Sequence, residues 1–421
     1  MKHLILLALL VLAYFSANYM YANVVKPMWQ EGMIPGQEYE YEAIAGLYLV
    51  TTPSIIAVAL SLPMGVLADK LGKARMLLLT GLLMGLGLLV VASSSNLISL
   101  SLGFAVFAIG MQGIYPAIMG SIADTVPETK RGVGYASYYA SSVIGNIVGL
   151  IIGLIVYWRT GYTILGLSTA VFTIVLWTML ARIYRGLQVT ATPGTQWGRG
   201  VVRAATTRAV VLMYVMIFFW GMPWGAISRY SVNFIQDTWG VSRTTATLVI
   251  ILASISIVVG HILGGTLADR RVGRGDLLGR IKVSIMGVAL GVLVMIAFVQ
   301  YPYPRGEEKL VSLLPPVLLA IGGMMFTTFA YPNISSVLSE VVKPEYRGTV
   351  FAVFNILNNL GWGIGPTLYG ALKAWLVENM GLSIAEASRY SITSIVLLWL
   401  IPLIIWLLMI KEYPKHRVSG R

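Results

Sequence analysis

The sequence predicts an all-α membrane protein whose twelve transmembrane helices form two pseudo-symmetric six-helix bundles. The first observation is composition: apolar residues fill 57% of the 421 positions, charged residues fill 11%, and the mean hydropathy is +0.79. No soluble domain needs so many apolar residues to fill its core. The second observation is that these residues form twelve runs of about 20, a length that crosses the roughly 30 Å hydrocarbon layer as a helix. The third is an internal repeat.

Two similar loops reveal this repeat. The segment Gly65–Arg75 reads GVLADKLGKAR, and Gly265–Arg274 reads GTLADRRVGR at an offset of 200 positions. Each loop lies between two long apolar runs, so the two copies occupy equivalent places in the chain. The sequence therefore predicts two related halves.

A second pair of segments extends the alignment. Tyr115-Pro116 precedes Asp124 at the same distance as Tyr331-Pro332 precedes Glu340, and the offset here is 216 positions. The 16 additional positions match a polar, proline-rich insert over residues 301–316. The halves therefore align from end to end with one loop insertion.

The predicted elements follow from the apolar runs. Spans 1 to 12 are predicted at residues 4–25, 43–67, 76–94, 97–122, 133–157, 162–181, 208–232, 245–267, 282–300, 313–339, 349–372 and 390–410. The N-terminal bundle takes residues 1–181 and the C-terminal bundle, with a short tail, takes residues 208–421. Residues 182–207, which contain arginines and no acid, form a cytoplasmic linker. The first run is counted as span 1 and not as a cleaved signal, because the first half would otherwise have five spans.

The charges predict the orientation, because Lys and Arg are retained on the cytoplasmic side. With the N-terminus inside, the inner segments sum to +14 and the outer segments to −1, which together give the net charge of +13. The basic balance therefore reflects topology and does not indicate a nucleic-acid partner. We expect a multi-pass monomer in the cell (inner) membrane with both termini in the cytoplasm and the lipid bilayer as its surroundings.

The numbers and positions of His, Cys, Asp and Glu argue against catalysis. The chain has three histidines and no cysteine, and no Asp or Glu falls inside a predicted span. A membrane-embedded enzyme would need a nucleophile, metal ligands or paired carboxylates at depth. We therefore expect neither an enzyme nor a metal site, and no cofactor.

The repeated loop resembles the signature of the major facilitator superfamily, which has a Gly-x-x-x-Asp-basic-x-Gly-x-basic-basic loop between the second and third of twelve helices. Gly65, Asp69, Lys70, Gly72 and Arg75 fill the pattern together with Lys73, and Ala74 departs from it. The segments that begin at Pro127 and Pro344 and open spans 5 and 11 also resemble this family's loops. The resemblance covers the whole chain and implies a secondary transporter.

The resemblance also implies a gate at the cytoplasmic side, in which each loop aspartate lies against a helix of the other half. Glycines at 65 and 265 are expected to allow close helix approach, and the acids are expected to lie near positive helix ends. One cluster would contain Gly65, Asp69, Lys70, Gly72, Arg75, Asp124, Glu128 and Arg131, and the other Gly265, Asp269, Arg270, Glu340, Glu345 and Arg347. The alternative is that these charges only keep short loops soluble.

In the resembling family the substrate cavity lies between the halves and is lined by spans 1, 4, 7 and 10. An unpaired amide facing lipid costs several kcal/mol, so polar residues on these spans are expected to face a cavity or another helix. The candidates, with three from spans 5 and 11, are Asn18, Tyr19, Asn23, Gln112, Tyr115, Tyr139, Trp220, Trp224, Arg229, Tyr331, Asn333, Asn355 and Asn359. The alternative for each is helix packing.

Two residues carry charge, or can gain it, inside predicted spans. Arg229 could attract an anionic group or pair with Asp237, and His261 is the candidate for proton coupling because its side chain titrates near neutral pH. Another coupling ion remains an alternative. A lone histidine on a membrane helix also serves in packing.

The sequence thus predicts a secondary active transporter of a small organic solute, neutral or anionic and amphipathic, that works by alternating access. A proton-coupled drug or multidrug efflux antiporter is one alternative. Against it, span 4 lacks the buried arginine of that group, and span 5 lacks the proline after Gly145-Asn-Ile-Val-Gly149. A facilitator-like receptor that no longer transports is the other alternative, since its fold would be the same.

Overall fold

The computed structural model describes residues 2–61, 63–64, 67, 71–125, 131–185, 202, 204–343 and 346–418. The chain forms two compact units, an N-terminal unit of residues Met1–Gly194 and a C-terminal unit of residues Thr195–Arg421. The described residues are organised as helices, with no strand among them. The predicted all-α membrane fold is confirmed.

The helices are labelled α1 to α12 to match the predicted spans. In the N-terminal unit they are α1 (Lys2–Gln30), α2 (Tyr41–Ala45, Gly46–Thr51 and Thr52–Ala59), α3 (Lys73–Ser93), α4 (Leu97–Thr125), α5 (Arg131–Ile155) and α6 (Trp158–Arg185). The middle part of α2 is a π-helical turn, in which the N–H of Thr52 bonds to the carbonyl of Leu47. This turn lies directly before Pro53, which has no N–H to continue the α-helical pattern.

In the C-terminal unit the helices are α7 (Arg208–Trp239), α8 (Arg243–Gly273), α9 (Gly279–Val299), α10 (Leu310–Thr327, Thr328–Ala330 and Tyr331–Val341), α11 (Arg347–Met380) and α12 (Ile384–Leu397 and Leu400–His416). The short middle part of α10 is a 3₁₀ turn, and Pro332 follows it. Within the described residues, ten helices are long and apolar enough to cross a membrane, and α5 adds the shorter apolar stretch Ala140–Ile155.

Several helices extend beyond their predicted spans. Helix α7 continues from the predicted end at 232 to Trp239, and α11 continues from 372 to Met380. Both end at a glycine with a left-handed backbone, Gly240 at φ 67° and Gly381 at φ 65°. Hydropathy detects the hydrocarbon thickness, whereas the helix itself ends where its capping residue lies.

One close helix pair has the same design in both units. In the N-terminal unit, a Cβ atom on Gly145 or Gly153 of α5 would lie 2.8 Å from a carbonyl oxygen of α1. In the C-terminal unit, a Cβ atom on Gly361 or Gly365 of α11 would lie even closer to a carbonyl oxygen of α7, and one on Gly221 of α7 would lie 2.8 Å from a carbonyl oxygen of α11. Small residues let membrane helices approach until their backbones touch. Helices α1 with α5 and α7 with α11 therefore form the frame on which the candidate residues are held.

Candidate functional site

Two acids of the predicted second gate meet at one arginine. Nη1 of Arg280 lies 2.9 Å from Oδ1 of Asp269, and Nε of Arg280 lies 3.2 Å from Oε1 of Glu340. Asp269 lies near the end of α8, Arg280 in the first turn of α9, and Glu340 at the end of α10. A guanidinium presents several N–H donors in one plane and can therefore join two carboxylates. Three helix ends are linked on the side predicted to face the cytoplasm.

The C-terminal tail adds to this cluster. The hydroxyl of Tyr413 donates to Oε2 of Glu340, and the backbone N–H of Val418 donates to the carbonyl oxygen of Glu340 at 2.8 Å. We call Asp269, Arg280, Glu340 and Tyr413 the Glu340 cluster. Neither Arg280 nor Tyr413 was among the predicted gate residues.

The other predicted members of this gate have different positions. Nε of Arg347 donates to the carbonyl oxygens of Ser339 at 3.0 Å and Val342 at 3.2 Å, so this side chain caps the end of α10. Arg270 is exposed. A Cβ on Gly265 would meet only Pro332, at 3.8 Å, which is an ordinary contact. The close approach expected at Gly265 is made one residue earlier.

That position is Gly264. A Cβ there would lie 2.5 Å from Cα of Phe329 in the 3₁₀ turn of α10, which is closer than real Cβ contacts. The backbones of α8 and α10 therefore touch at Gly264. This glycine stands five positions before Asp269 of the Glu340 cluster. The close contact between α8 and α10 is therefore made by Gly264 and not by the predicted Gly265.

Most of the first predicted gate cannot be placed. Gly65, Asp69, Lys70 and Glu128, together with Glu345 of the second gate, lie outside the described residues. Asp124 and Arg131 belong to α4 and α5, but their side chains lie outside the described part of the structure, as do those of the cavity candidates Tyr115 and Tyr139. Gly72 precedes α3 with φ 77°, a backbone that favours glycine, and Arg75 is exposed. The role of these residues stays a prediction.

Two candidate amides link neighbouring helices inside their own unit. Asn23 is 2% exposed, and its Nδ2 donates to the carbonyl oxygen of Leu150 on α5 at 2.9 Å. Asn333 is fully buried, and its Nδ2 donates to the carbonyl oxygen of Phe329 within α10 at 3.0 Å and to that of Gly264 on α8 at 3.5 Å. These contacts are the helix-packing arrangement that the sequence left as the alternative.

Two candidate tryptophans pack against α12. Trp220 and Trp224 are 1% and 8% exposed, and their ring centroids lie 5.9 Å and 5.6 Å from that of Trp399. Nε1 of Trp399 also donates to the carbonyl oxygen of Trp220 at 3.2 Å. The three indoles form an aromatic cluster inside the C-terminal unit. Whether they also contact a solute stays a prediction.

The remaining candidates are more accessible. Asn355 and Tyr331 are exposed, and a further set is half-buried: Asn18, Tyr19, Gln112, Arg229 and Asn359. Half-buried polar side chains on apolar helices can exchange a helix contact for a ligand contact without being fully desolvated first. These seven residues are therefore the most accessible to a solute among the predicted cavity residues whose side chains the structure describes.

The candidate for proton coupling contacts one of these residues. His261 of α8 is half-buried, and its ring centroid lies 5.2 Å from that of Tyr331 on α10, with the planes tilted by 31°. This geometry is an ordinary aromatic contact between neighbouring helices. It is compatible with packing and does not by itself assign a proton-carrying role.

The expectation about buried acids needs correction. No acid was predicted inside a span, yet Glu42 on α2 is fully buried and Asp237 on α7 is 8% exposed. Asp237 pairs with Lys373, whose Nζ lies 2.7 Å from its Oδ2. Lys373 lies one residue beyond the predicted end of span 11, so it was counted as a loop residue. Among the residues described, no group of three or more His, Asp or Glu is arranged to hold a metal ion.

The sequence has curated relatives among transporters. It is 28% identical over 232 residues to an MFS-type efflux pump of Mycolicibacterium smegmatis, a region that covers 53% of this chain and 50% of that protein. It is also 28% identical over 174 residues to the 4-hydroxybenzoate transporter PcaK of Pseudomonas aeruginosa, covering 41% of this chain and 34% of that one. The matched regions thus span half of the first relative and about a third of the second.

Solved structures share the fold over the whole chain. A bacterial homolog to the human lysosomal transporter Spinster has a TM-score of 0.80 and 18% identity, and the match covers 100% of this chain and 98% of that one. The peptide transporter POT in complex with sulfate has a TM-score of 0.71 and 14% identity, covering 99% and 96%. At such identities the likeness shows the fold alone.

These relatives and structures are transporters, so the expectation that the chain is not an enzyme is confirmed. The sequence pattern of the Major Facilitator Superfamily matches residues 6–366, which is most of the chain. The suspected family is therefore the right one, and the chain belongs to the Major Facilitator Superfamily.

Proposed function

We propose that the chain is a secondary active transporter that moves a small organic solute across the cell membrane by alternating access. The observation that carries the proposal is the Glu340 cluster, in which two residues assigned to a gate by the family resemblance are linked through Arg280. Asp269 is 66% exposed and Arg280 20% exposed. Ion pairs that water reaches contribute about 1 kcal/mol or less, so thermal motion can break and re-form them. This reversibility suits a gate.

The first predicted gate enters the proposal as the counterpart of the second. Asp69 and its neighbours would form the equivalent latch in the N-terminal unit, because the two loops are copies of one motif. Transport by rocking or gating of the two halves needs such elements to break and re-form in turn. The transporter would act as a monomer with both termini in the cytoplasm.

The proposed solute is neutral or anionic and amphipathic. The half-buried candidates on α1, α4 and α7 are uncharged hydrogen-bonding groups, apart from the cationic Arg229. A guanidinium attracts carboxylates and related anions and repels cations. The name of one relative, a 4-hydroxybenzoate transporter, describes an aromatic carboxylate solute, which supports the same class.

A second candidate function is proton-coupled efflux of drugs. The similarity to an MFS-type efflux pump favours it. Drug antiporters differ from the proposed transporter in the solute and in the direction of net movement, and both properties can be measured. A receptor without transport is the third alternative, and it predicts binding without uptake.

Uptake into proteoliposomes tests the proposal. The purified full chain would be given aromatic carboxylates, neutral amphipathic solutes and organic cations, with and without an imposed pH gradient, and protein-free liposomes serve as the control. We expect saturable uptake of at least one carboxylate or neutral solute. Uptake restricted to organic cations and driven by an opposing proton gradient would replace the proposal with drug antiport. Binding of a solute without any uptake would replace it with the receptor function.

A further inference from the structure

Basic side chains gather where the end of α12 lies beside the start of α7. Nη1 of Arg208 and Nζ of Lys415 lie 3.6 Å and 3.1 Å from the same atom, Oε1 of Glu412. Because both cations reach one oxygen, their charged groups are neighbours although they come from two helices. Lys411 is exposed one turn before Lys415, so the two lysines lie on the same face of α12. We call Arg208, Lys411 and Lys415 the basic patch.

The cations of the basic patch are accessible, whereas their acid is not. The side chains of Arg208 and Lys415 are 69% and 63% exposed, and that of Glu412 is 8% exposed. A guanidinium has five N–H donors and an ammonium has three, so contact with one carboxylate oxygen uses only part of them. The exposed side of each cation can therefore contact a second anion while Glu412 stays in place.

The end of α12 that carries the two lysines is held in place. The hydroxyl of Tyr413 donates to Oε2 of Glu340 on α10, and the backbone N–H of Val418 donates to the carbonyl oxygen of the same glutamate at 2.8 Å. These contacts lie on either side of Lys415 in the sequence, so they fix the helix end from which it projects. A ligand of the basic patch would therefore not have to order this end first.

Positive charge exceeds negative charge in the basic patch. Its three cations surround one acid, Glu412, and Lys411 forms no ion pair within the part of the chain that the structure describes. Nδ1 of His416 lies 3.8 Å from Oε2 of Glu412 and adds a further positive charge when the ring is protonated. The Glu340 cluster has the opposite balance, with one arginine between two acids. An anion from outside the chain is therefore attracted to the basic patch.

An apolar surface of α12 leads to the basic patch. Ile404, Leu407 and Leu408 are 54%, 48% and 40% exposed. With Lys411 and Lys415 they recur at intervals of three and four residues, so all five lie on one helix face. In a membrane-spanning helix, such exposed apolar side chains contact lipid acyl chains, and lysines near the helix end reach the level of the headgroups. Lys411 is the first residue after predicted span 12, where these two levels meet.

We propose that the basic patch binds the headgroup of an anionic phospholipid whose acyl chains lie along the exposed face of α12. The patch is on the side predicted to face the cytoplasm, and the cytoplasmic leaflet carries anionic lipids that basic clusters at helix ends attract. The lipid phosphate supplies the negative charge on which donors from two helices converge. The bound lipid joins the start of α7 to the end of α12, whatever solute the chain carries.

A specific lipid site behaves differently from two simpler arrangements. Topology alone places basic residues on the inner side, and it predicts that every exposed lysine there attracts anionic lipid to a similar extent. A purely structural cluster predicts that the ion pairs with Glu412 only hold α7 against α12. In a lipid site, loss of a patch cation weakens lipid binding, whereas loss of Glu412 strengthens it, because this acid competes with the lipid phosphate for the same cations.

The experiment measures binding of phosphatidylglycerol to the purified full chain in detergent by native mass spectrometry, with phosphatidylcholine as the reference lipid of no net charge. The test variant is Lys411→Gln with Lys415→Gln, and the matched control is Lys282→Gln with Lys343→Gln. Each removes two exposed lysines from the same side of the C-terminal unit, one of which pairs with an acid. We expect the test variant to lose affinity for phosphatidylglycerol by about tenfold or more, since each cation near an anionic headgroup contributes roughly fivefold. The control should keep the wild-type affinity, and Glu412→Gln should bind more tightly.

Several outcomes would overturn the inference. A similar loss of affinity in the control variant would assign lipid binding to general attraction by the positive side. Weaker lipid binding in Glu412→Gln, matching that of Lys415→Gln, would leave the cluster with a structural role only. Binding of glycerol 3-phosphate as tight as that of phosphatidylglycerol would make the patch a site for soluble anions. Lys411→Arg with Lys415→Arg keeps both charges and should keep the affinity, so a loss there as large as in the glutamine variant would also count against a lipid site.

Discussion

Nε of Arg280 lies 3.2 Å from Oε1 of Glu340, and this contact joins the first turn of α9 to the end of α10. Arg280 also pairs with Asp269 of α8, so a single side chain holds three helix ends. Asp269 is the residue that the repeated loop motif singled out. The arginine explains what its carboxylate does in this conformation.

The first prediction concerns this arginine. Arg280→Ala removes both ion pairs and is expected to lower the free energy of unfolding by about 1 kcal/mol, since both links are partly solvent-exposed. It should also speed amide hydrogen exchange at the end of α10, which would lose its link to α9. Arg271→Ala is the matched control, because the ion pair of Arg271 is with the loop acid Asp276, at 3.7 Å. Equal exchange rates at the end of α10 in both variants would contradict the assigned role.

The repeat predicts the acids of this cluster but not its arginine. Asp269 is the counterpart of Asp69 at an offset of 200 positions, whereas the counterpart of Arg280 at that offset is Thr80. A residue without a partner in the other half produces no repeat signal. Tyr413 is not predicted for another reason, because its contact with Glu340 spans 73 positions and depends on how the last part of α12 packs against α10.

The ion pair of Asp237 and Lys373 shows a limit of predicting helix ends from hydropathy. Both residues lie on the last turns of their helices, beyond the predicted span ends at 232 and 372. A hydropathy window ends a span where polar residues begin, so it assigns such residues to loops. The helix stops themselves were visible in the sequence, because Gly240 and Gly381 supply the left-handed residue that ends each helix.

The second prediction tests the close contact between α7 and α11. A Cβ on Gly361 would collide with the carbonyl oxygen of Phe218 and lie 3.3 Å from Cα of Gly221. Gly361→Ala is therefore expected to cost about 1–3 kcal/mol of stability through overpacking. Gly348→Ala on the same helix is the control, because no atom lies within 4 Å of its added Cβ. Thermal unfolding in detergent measures both, and equal midpoints would argue against a tight contact at Gly361.

The third prediction concerns a loop carboxylate. Glu308 accepts a hydrogen bond from the backbone of Ser242 and another from Thr245 at 2.7 Å, which lowers its pKa below the usual 4.5. A lowered pKa in the folded state means that the stabilisation is present above pH 4.5 and is lost as the pH falls through the folded value. Glu308→Gln should therefore lower the unfolding temperature at neutral pH, and the difference from wild type should shrink in acid.

The control for this comparison is Glu378→Gln, since Glu378 is exposed at the end of α11. It is expected to give the wild-type midpoint at each pH. A difference between wild type and Glu308→Gln that stays constant from neutral pH to below pH 4.5 would show that the carboxylate charge does not produce the stabilisation.

The fourth prediction concerns solute recognition. Arg229→Ala removes the half-buried cation of α7. It is expected to weaken binding of a carboxylate solute by about tenfold or more, which is the change in affinity that loss of a hydrogen bond to a charged group usually causes. Arg274→Ala, in an exposed loop position, is the control for loss of positive charge. Tyr19→Ala and Tyr390→Ala, at an exposed position of α12, form a second matched pair. Equal losses within each pair would mean that the measurement reports folding and not a binding site.

The last prediction concerns proton coupling. His261→Gln keeps hydrogen-bonding capacity but removes the imidazole, whose ring nitrogens can carry a proton. Because the ring of His261 contacts Tyr331 as a packing partner, we expect both exchange and gradient-driven accumulation to survive. Loss of accumulation with intact exchange would instead make His261 the proton carrier. Loss of both activities would place His261 in the solute site or in the packing of α8 against α10, and a Tyr331→Phe variant would then show which, since it keeps the ring contact but removes the hydroxyl.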